Sequence, residues 1–372
     1  MRILRILNSE DRGGILTYEI QFIKELQRRG ITVDAVILGE GGQAKVYQQL
    51  CDNSYMLPFL DASYSGSVAK IAAAIYRSYR FGKYHSRHIL PQLHGKKPYA
   101  AVIYSRPNYI HFAGSLSRAL GAKCLWHLPN TVNGHISKRY YNLYCRLYNI
   151  IQVANSYYTK ATIGEQCLHV VYPGYDDERV KRSEATYREL LNIGENVPVY
   201  GVAARISKDK AQDIVVKAFI ESEIRQQDGH LLVAGGPLDS EFSIYVQKLA
   251  NGLAGRQVHF LGNIDNLPMF YSSVDVVING RRNAEPFGIS VAEAFGAGKP
   301  VLAYYLGGPS EMITHKQNGW LVDEPQVNSF KEVLNESLTD RENWGFMGVN
   351  AKSCAEAYSL QRNVDKLVSI IT

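Results

Sequence analysis

A β-type run from Val274 to Asn279 leads into a Pro/Gly loop around Glu285-Pro-Phe-Gly288. A helical segment, Ser290 to Ala297, follows, and a second β-type run spans Pro300 to Tyr304. No other stretch constrains the fold as strongly. Strand, loop, helix and strand in this order make a crossover unit with parallel strands and right-handed connection. The loop and the helix start then lie at the carboxyl edge of the sheet, where ligands of open α/β folds bind. A helix opening just after Gly288 presents free backbone N–H groups and a positive dipole end, which suits a phosphate. Glu285 and Glu293, eight residues apart, are placed to grip polar groups on either side of it, with sugar and ribose hydroxyls the obvious candidates.

More motifs follow in a fixed order: His259-Phe-Leu-Gly262, Asp275-Val-Val, Glu285-Pro-Phe-Gly288, Glu293-Ala-Phe, Gly298-Lys-Pro-Val301, Gly307-Gly308, Glu311 and Asn318-Gly319. Together they resemble the retaining glycosyltransferases of the GT-B fold, family 4 type, which carry a Glu-x7-Glu signature. The resemblance is tight over about a third of the chain and looser elsewhere. It implies an α/β architecture of two Rossmann-like domains facing across a cleft, the first binding an acceptor and the second a nucleoside-diphosphate sugar. It further implies hexose transfer with retention of anomeric configuration, with UDP-glucose as the donor expected from family frequency. In this reading Glu285 anchors the sugar ring through its hydroxyls, beside the backbone of Phe287, Gly288 and Ile289, and Glu293 binds the ribose.

The sequence of 372 residues favours two domains of ordinary size, and 46% apolar with 20% charged residues is the balance of a soluble globular protein. No apolar run reaches the roughly 18 residues that a membrane span requires. The opening Met-Arg-Ile-Leu-Arg-Ile-Leu-Asn is too short for a signal-peptide core and reads as a first buried strand. Five scattered cysteines lack any metal-binding spacing. A reduced, cytoplasmic protein without a structural metal is expected. The net charge of +6 hides an asymmetry: Ala62 to Gly164 holds fourteen Lys or Arg and no Asp or Glu. An anionic partner for the first half is the expectation.

In that first half, residues 2–7 form a strand, Gly13-Gly14 a turn, Ile15 to Arg29 a helix and Ile31 to Leu38 the next strand. The Gly-x-Gly-x-x-Gly dinucleotide fingerprint is absent, which weakens an NAD-dependent oxidoreductase. The family resemblance puts Gly14 beside the donor diphosphate. Val68 to Leu90 reads as an amphipathic helix with Val68, Ile71, Ala72, Ile75, Tyr79 and Ile89 inward and Lys70, Arg77, Arg80, Lys83 and Arg87 outward. Its basic face, with Tyr76, Phe81 and Tyr84 interleaved, suits an anionic membrane surface. Peripheral attachment to the inner face of the membrane and a glycan or lipid-linked acceptor are therefore expected; no nucleic-acid module is recognisable. Tyr99 to Tyr104, Lys123 to His127 and Ile150 to Asn155 are further strands. His127 closes the second of them, where the resemblance implies a catalytic-site histidine touching the donor sugar.

Val170 to Asp176 resembles the family's interdomain connection, without its usual Asn. The domains are expected at 1–173, joined by a C-terminal helix 357–372 crossing back, and at 174–356. Val197 to Ala203 is a buried strand leading to Arg205 and Lys210, which match the family's diphosphate-binding Arg and Lys, while the glycines flanking them are replaced by Ala204 and Ala211. Charge growing on a leaving diphosphate needs such fixed cations. With no Asp-x-Asp site in the sequence, a metal-independent reaction without cofactor is expected. The loop after Gly262 is expected against the nucleotide base, with backbone contacts from Ile264. Two alternatives are a nucleotide-sugar epimerase on the same fold and a catalytically silent sugar-nucleotide-binding subunit. A glycosidase carboxylate pair fits poorly, because one carboxylate is implied at the ribose.

Overall fold

The computed structural model describes residues 1–60, 68–93, 98–250 and 252–372. The chain divides into two compact units, Met1–Pro173 with Asn363–Thr372, and Gly174–Arg362.

The first unit is built on a seven-stranded parallel sheet of order β3-β2-β1-β4-β5-β6-β7. Its strands are β1 (Arg2–Asn8), β2 (Thr32–Leu38), β3 (Asn53–Leu57), β4 (Ala101–Tyr104), β5 (Lys123–Leu128), β6 (Ile150–Ala154) and β7 (His169–Val170). The central strands carry near-continuous apolar runs because helices cover both faces: Ile3, Leu4, Val102 and Ile103 are fully buried. Ile3 pairs with Val33 on one side and Ala101 on the other, so sheet growth reverses between β1 and β4. At the carboxyl edge beside this reversal, Asn8 donates to the Tyr109 hydroxyl at 2.7 Å and Arg106 pairs with Asp11 at 2.6 Å.

The basic helix spans Val68–Leu93, and its inward face differs from the expected one. Ala74, Ser78, Gly82 and Ser86, four residues apart, are buried, followed by Ile89 and Leu93. Ile71 and Ile75 are half-buried, and Ala72 and Tyr79 are exposed; the Val68 side chain lies outside the described residues. Small side chains allow this helix to approach the Ile110–Leu120 helix until backbones nearly touch. A Cβ on Gly82 would come within 2.7 Å of the His111 carbonyl carbon. Of the acid-free stretch, 62–67 and 94–97 lie outside the described residues.

The second unit holds a six-stranded parallel sheet of order β10-β9-β8-β11-β12-β13. The strands are β8 (Val199–Ala203), β9 (His230–Ala234), β10 (Val258–Gly262), β11 (Val276–Asn279), β12 (Val301–Tyr304) and β13 (Gly319–Val322). Growth reverses between β8 and β11, which pair directly through Val276 and Tyr200. Crevices at such reversals are where doubly wound folds bind ligands. The C-terminal helix Leu360–Ile371 returns to the first unit from Asn363 onward, six residues later than expected. There Tyr172 N–H donates to the Asn363 side chain at 3.0 Å. Among the described residues all five cysteines are unpaired, four of them buried, and no helix is long and apolar enough to cross a membrane.

Candidate active site

In the second unit the ends of β8 and β11 bring Arg205, Lys210 and Glu285 into one charged cluster. The Lys210 ammonium donates to Glu285 Oε2 at 2.7 Å, and Arg281 Nε lies 3.2 Å from the same oxygen. Arg281 also reaches Asp209 at 2.9 Å, and Arg205 lies 3.8 Å from Asp209 on the other side. Burial alone would raise the Asp209 carboxyl. The Ser207 hydroxyl and the charges of Arg281, Lys210 and Arg205 outweigh it and hold the group below the usual carboxylate range. The cluster thus sets three cations against two carboxylates, a surplus of positive charge suited to an anion.

Two loops are zipped together to make this cluster. Arg282 N–H donates to the Asp209 carbonyl at 3.1 Å, and the Arg282 guanidinium binds both oxygens of Asp213 at 3.0 and 2.6 Å. Ala211, standing where the family has glycine, keeps the left-handed conformation at φ 53°, so the loss of glycine does not change the turn that presents Lys210.

Backbone holds the Glu285 loop from the other side. Gly308 N–H donates to the Glu285 carbonyl at 2.7 Å, and Glu285 N–H donates to Leu306 at 3.3 Å. A Cβ on Gly307, whose φ is 112°, would fall 2.2 Å from the Glu285 carbonyl oxygen, and one on Gly308 would fall 2.3 Å from that of Phe287. Gly307-Gly308 is therefore the cradle of the Glu285 loop. Gly288 follows with φ 100° and opens the Ile289–Gly296 helix, whose first turn has no side-chain cap. The side of that turn is fixed by Asn279, which donates to the Ser290 hydroxyl at 2.9 Å. Val291 N–H turns back to the Gly288 carbonyl at 3.0 Å, and no side chain caps the positive helix end that opens after Gly288. Phe287 is buried.

Glu293, on the same helix, is buried. It accepts from Arg179 Nε at 2.7 Å and from the Tyr271 hydroxyl at 3.0 Å. Burial, with the Glu293 charge beside it, pushes the Tyr271 phenol far up, so it stays a donor. The sequence reading missed Arg179, Tyr271 and Arg281. Only Arg281, four residues before Glu285, left a local trace. Ile264 sits half-buried in the loop after β10.

Two expected residues belong to the first unit. Gly14 is exposed and begins the Gly14–Arg28 helix; the residue requiring glycine is its neighbour Gly13, at φ 59°. His127 is buried at the end of β5, with both ring nitrogens engaged inside its own unit. Nε2 meets the Val171 carbonyl at 2.8 Å, so it carries the proton, and Nδ1 accepts from the Tyr18 hydroxyl. Burial lowers its pKa to about 4. The resemblance implies a histidine touching the donor sugar; within its own unit this ring is neutral and bonded at both nitrogens.

Residues 183–353 match the family profile described as Glycosyl transferases group 1. Over 187 residues the chain is 31% identical to the lipopolysaccharide 1,2-N-acetylglucosaminetransferase of Salmonella typhimurium, covering 46% of this chain and 48% of that protein. Over 205 residues it is 32% identical to the GDP-mannose-dependent alpha-(1-6)-phosphatidylinositol monomannoside mannosyltransferase of Mycobacterium tuberculosis, covering 51% of each. The chain thus spans about half the length of the curated relatives it matches at this level. The structure of Anabaena HepE in complex with UDP is similar over 100% of this chain and 99% of that one, at 19% identity and a TM-score of 0.79. The two parallel-sheet units are those of the GT-B fold, and the stretch of the second unit that matches the glycosyl transferases group 1 profile holds the charged end of β8 and β11.

Proposed function

We propose that the chain is a retaining hexosyltransferase that moves a hexose from a nucleoside-diphosphate sugar to an acceptor hydroxyl. The observation that carries this reading is the Lys210–Glu285–Arg281 cluster beside an uncapped helix start at the sheet reversal of the second unit. The bond between the anomeric carbon and the β-phosphate oxygen breaks while the acceptor oxygen bonds the same face of the sugar. The acceptor proton passes to the leaving diphosphate. Arg205, Lys210 and the N–H groups after Gly288 stabilise the charge that grows on that diphosphate, which supports a reaction independent of metal. Lys210 is shared between Glu285 and the diphosphate, so donor binding and orientation of the Glu285 carboxylate are coupled.

Glu285 holds the sugar hydroxyls beside the Phe287–Ile289 backbone. Glu293 keeps a lone pair on each oxygen beyond Arg179 and Tyr271 and uses them for the ribose. Ile264 lies along the base, and for Gly14 the resemblance implies a diphosphate contact. His127 reaches a donor sugar only by exchanging Tyr18 or Val171, so no proton transfer is assigned to it. UDP-glucose is the first donor to test, since the similar Anabaena protein is known bound to UDP and glucose. A lipid-linked or otherwise anionic acceptor at an inner membrane surface suits the acid-free first half, with Arg77, Arg80, Lys83 and Arg87 exposed on one helix.

The test is a thermal-shift panel of nucleotide sugars, because a ligand bound only by the folded state raises the melting temperature. It is followed by NMR assignment of the product anomer. No stabilising donor, or an inverted product, overturns the proposal.

A further inference from the structure

On the first unit, an open groove of about 830 Å³ lies between the His135–Tyr148 helix and the short Tyr157–Ile163 helix. Lys138, Asn142 and Arg146, four residues apart, form one wall, and Tyr157 and Lys160 form the other. The floor is rigid. Asn142 donates to the Ile163 carbonyl at 3.2 Å and accepts from Gln152 at 2.8 Å, so its amide ties the two helices together. Gly164, at φ 105°, lets Lys138 lie flat across the end of the second helix. A Cβ there would fall 2.9 Å from the Lys138 ammonium.

Three cations therefore share one groove, and none of them forms an ion pair with a carboxylate of the described residues; Glu165 is the single acidic residue lining it. Cations gathered in a concave surface focus a positive potential and repel each other until an anion arrives. A carboxylate uses two donors. Two ammonium groups and a guanidinium offer more, matched to the three or four oxygens and near-double charge of a phosphomonoester.

We propose that this groove binds a phosphomonoester group, from a water-soluble phosphomonoester or from a phospholipid whose headgroup is a phosphomonoester. The groove uses none of the residues of the donor reading and does not depend on it. The helix also points to how the two sources are told apart, because Ile136, Leu143 and Leu147 are exposed on its adjoining face, where a lipid surface would bury them.

The probes are glycerol 3-phosphate, followed by titration calorimetry, and equimolar phosphatidic acid–phosphatidylcholine vesicles, followed by co-sedimentation. Both are run with saturating UDP so that a donor diphosphate site is already filled. The proteins are wild type, Lys138→Ala/Lys160→Ala, Arg146→Gln, and a Lys24→Ala/Lys248→Ala control that removes the same charge from exposed positions elsewhere. Wild type is expected to bind one probe saturably, glycerol 3-phosphate with a Kd of about 1 mM or below. The groove variants should bind roughly tenfold more weakly or worse, and the control unchanged. Binding of glycerol 3-phosphate assigns a soluble phosphomonoester, and binding of vesicles alone assigns a headgroup. Binding of neither probe, or equal loss in the control, overturns the site. Arg146 is exposed, so its variant keeps the test decisive if the double variant does not fold. UDP binding on the same samples reports the donor reading independently.

Discussion

Replacing Glu285 by Gln keeps the shape of the loop and removes one charge. In the wild type that charge faces the Lys210 ammonium at 2.7 Å and Arg281 at 3.2 Å, with side chains only 13–23% exposed. Losing one member of a fully buried pair costs about 3–5 kcal/mol. Here Asp209 still neutralises Arg281 and Lys210 reaches solvent, so a loss of about 1–2 kcal/mol is expected. For a unit of this size that is a fall in melting temperature of roughly 3–6 °C. Catalysis loses more. A charge-assisted hydrogen bond to the sugar hydroxyls is worth about 1.5–3 kcal/mol, so turnover should drop roughly 10- to 150-fold, with donor affinity falling less. The assay follows UDP release with the best donor of the thermal-shift panel, alongside circular dichroism to confirm folding. A variant that melts and turns over like wild type would falsify both the ion-pair accounting and the assignment of Glu285 to the sugar.

Other outcomes follow from the same geometry. Activity is expected to persist in excess EDTA; loss on chelation with recovery in magnesium or manganese would show that the cations of the site do not suffice. Gly307→Ala forces a side chain into φ 112° against the Glu285 carbonyl, so about 2–4 kcal/mol of stability and donor binding should fall together. Gly345→Ala, with nothing within 4 Å on its helix, should stabilise by about 0.4–1 kcal/mol by the same melt. His127 and His111 are both lowered by burial to about 4. Protons then bind the unfolded chain first, so stability is full above pH 6.5 and falls as pH drops toward 4, by up to roughly 3 kcal/mol per ring. Urea unfolding at pH 7 and 4.5 measures this, and equal stability at both would contradict the buried neutral rings.

The parts of the site that could be read from the sequence are those whose chemistry stays local. Arg205, Lys210, Glu285 and Gly288 announce themselves by order and spacing, because each lies between a strand and the helix that follows it. Arg281 and Arg179 do not, since their roles arise only when β8 meets β11 and when a charged, aperiodic segment folds back onto Glu293. The Val68–Leu93 helix shows a different failure. Periodicity looks for large apolar side chains, whereas this helix seats itself through their absence at Ala74, Ser78, Gly82 and Ser86. Short strands such as β3 and β7 lie at the edges of their sheet, where burial leaves little alternation to detect. His127 was found by position alone, and position does not reveal which nitrogens are already bonded.

The contact between Glu285 and Gly307-Gly308 makes residues 285–308 a closed cassette. Its two ends are stapled backbone to backbone, while a helix and β12 form the span between them. A substitution introduced at Glu285 alone leaves the staple intact but unadapted. A graft cut anywhere between Gly288 and Leu306 pairs one parent's carboxylate loop with another parent's glycine cradle. Recombination between related chains should therefore keep both ends of this span from a single parent, placing crossover points before β11 or after Gly308.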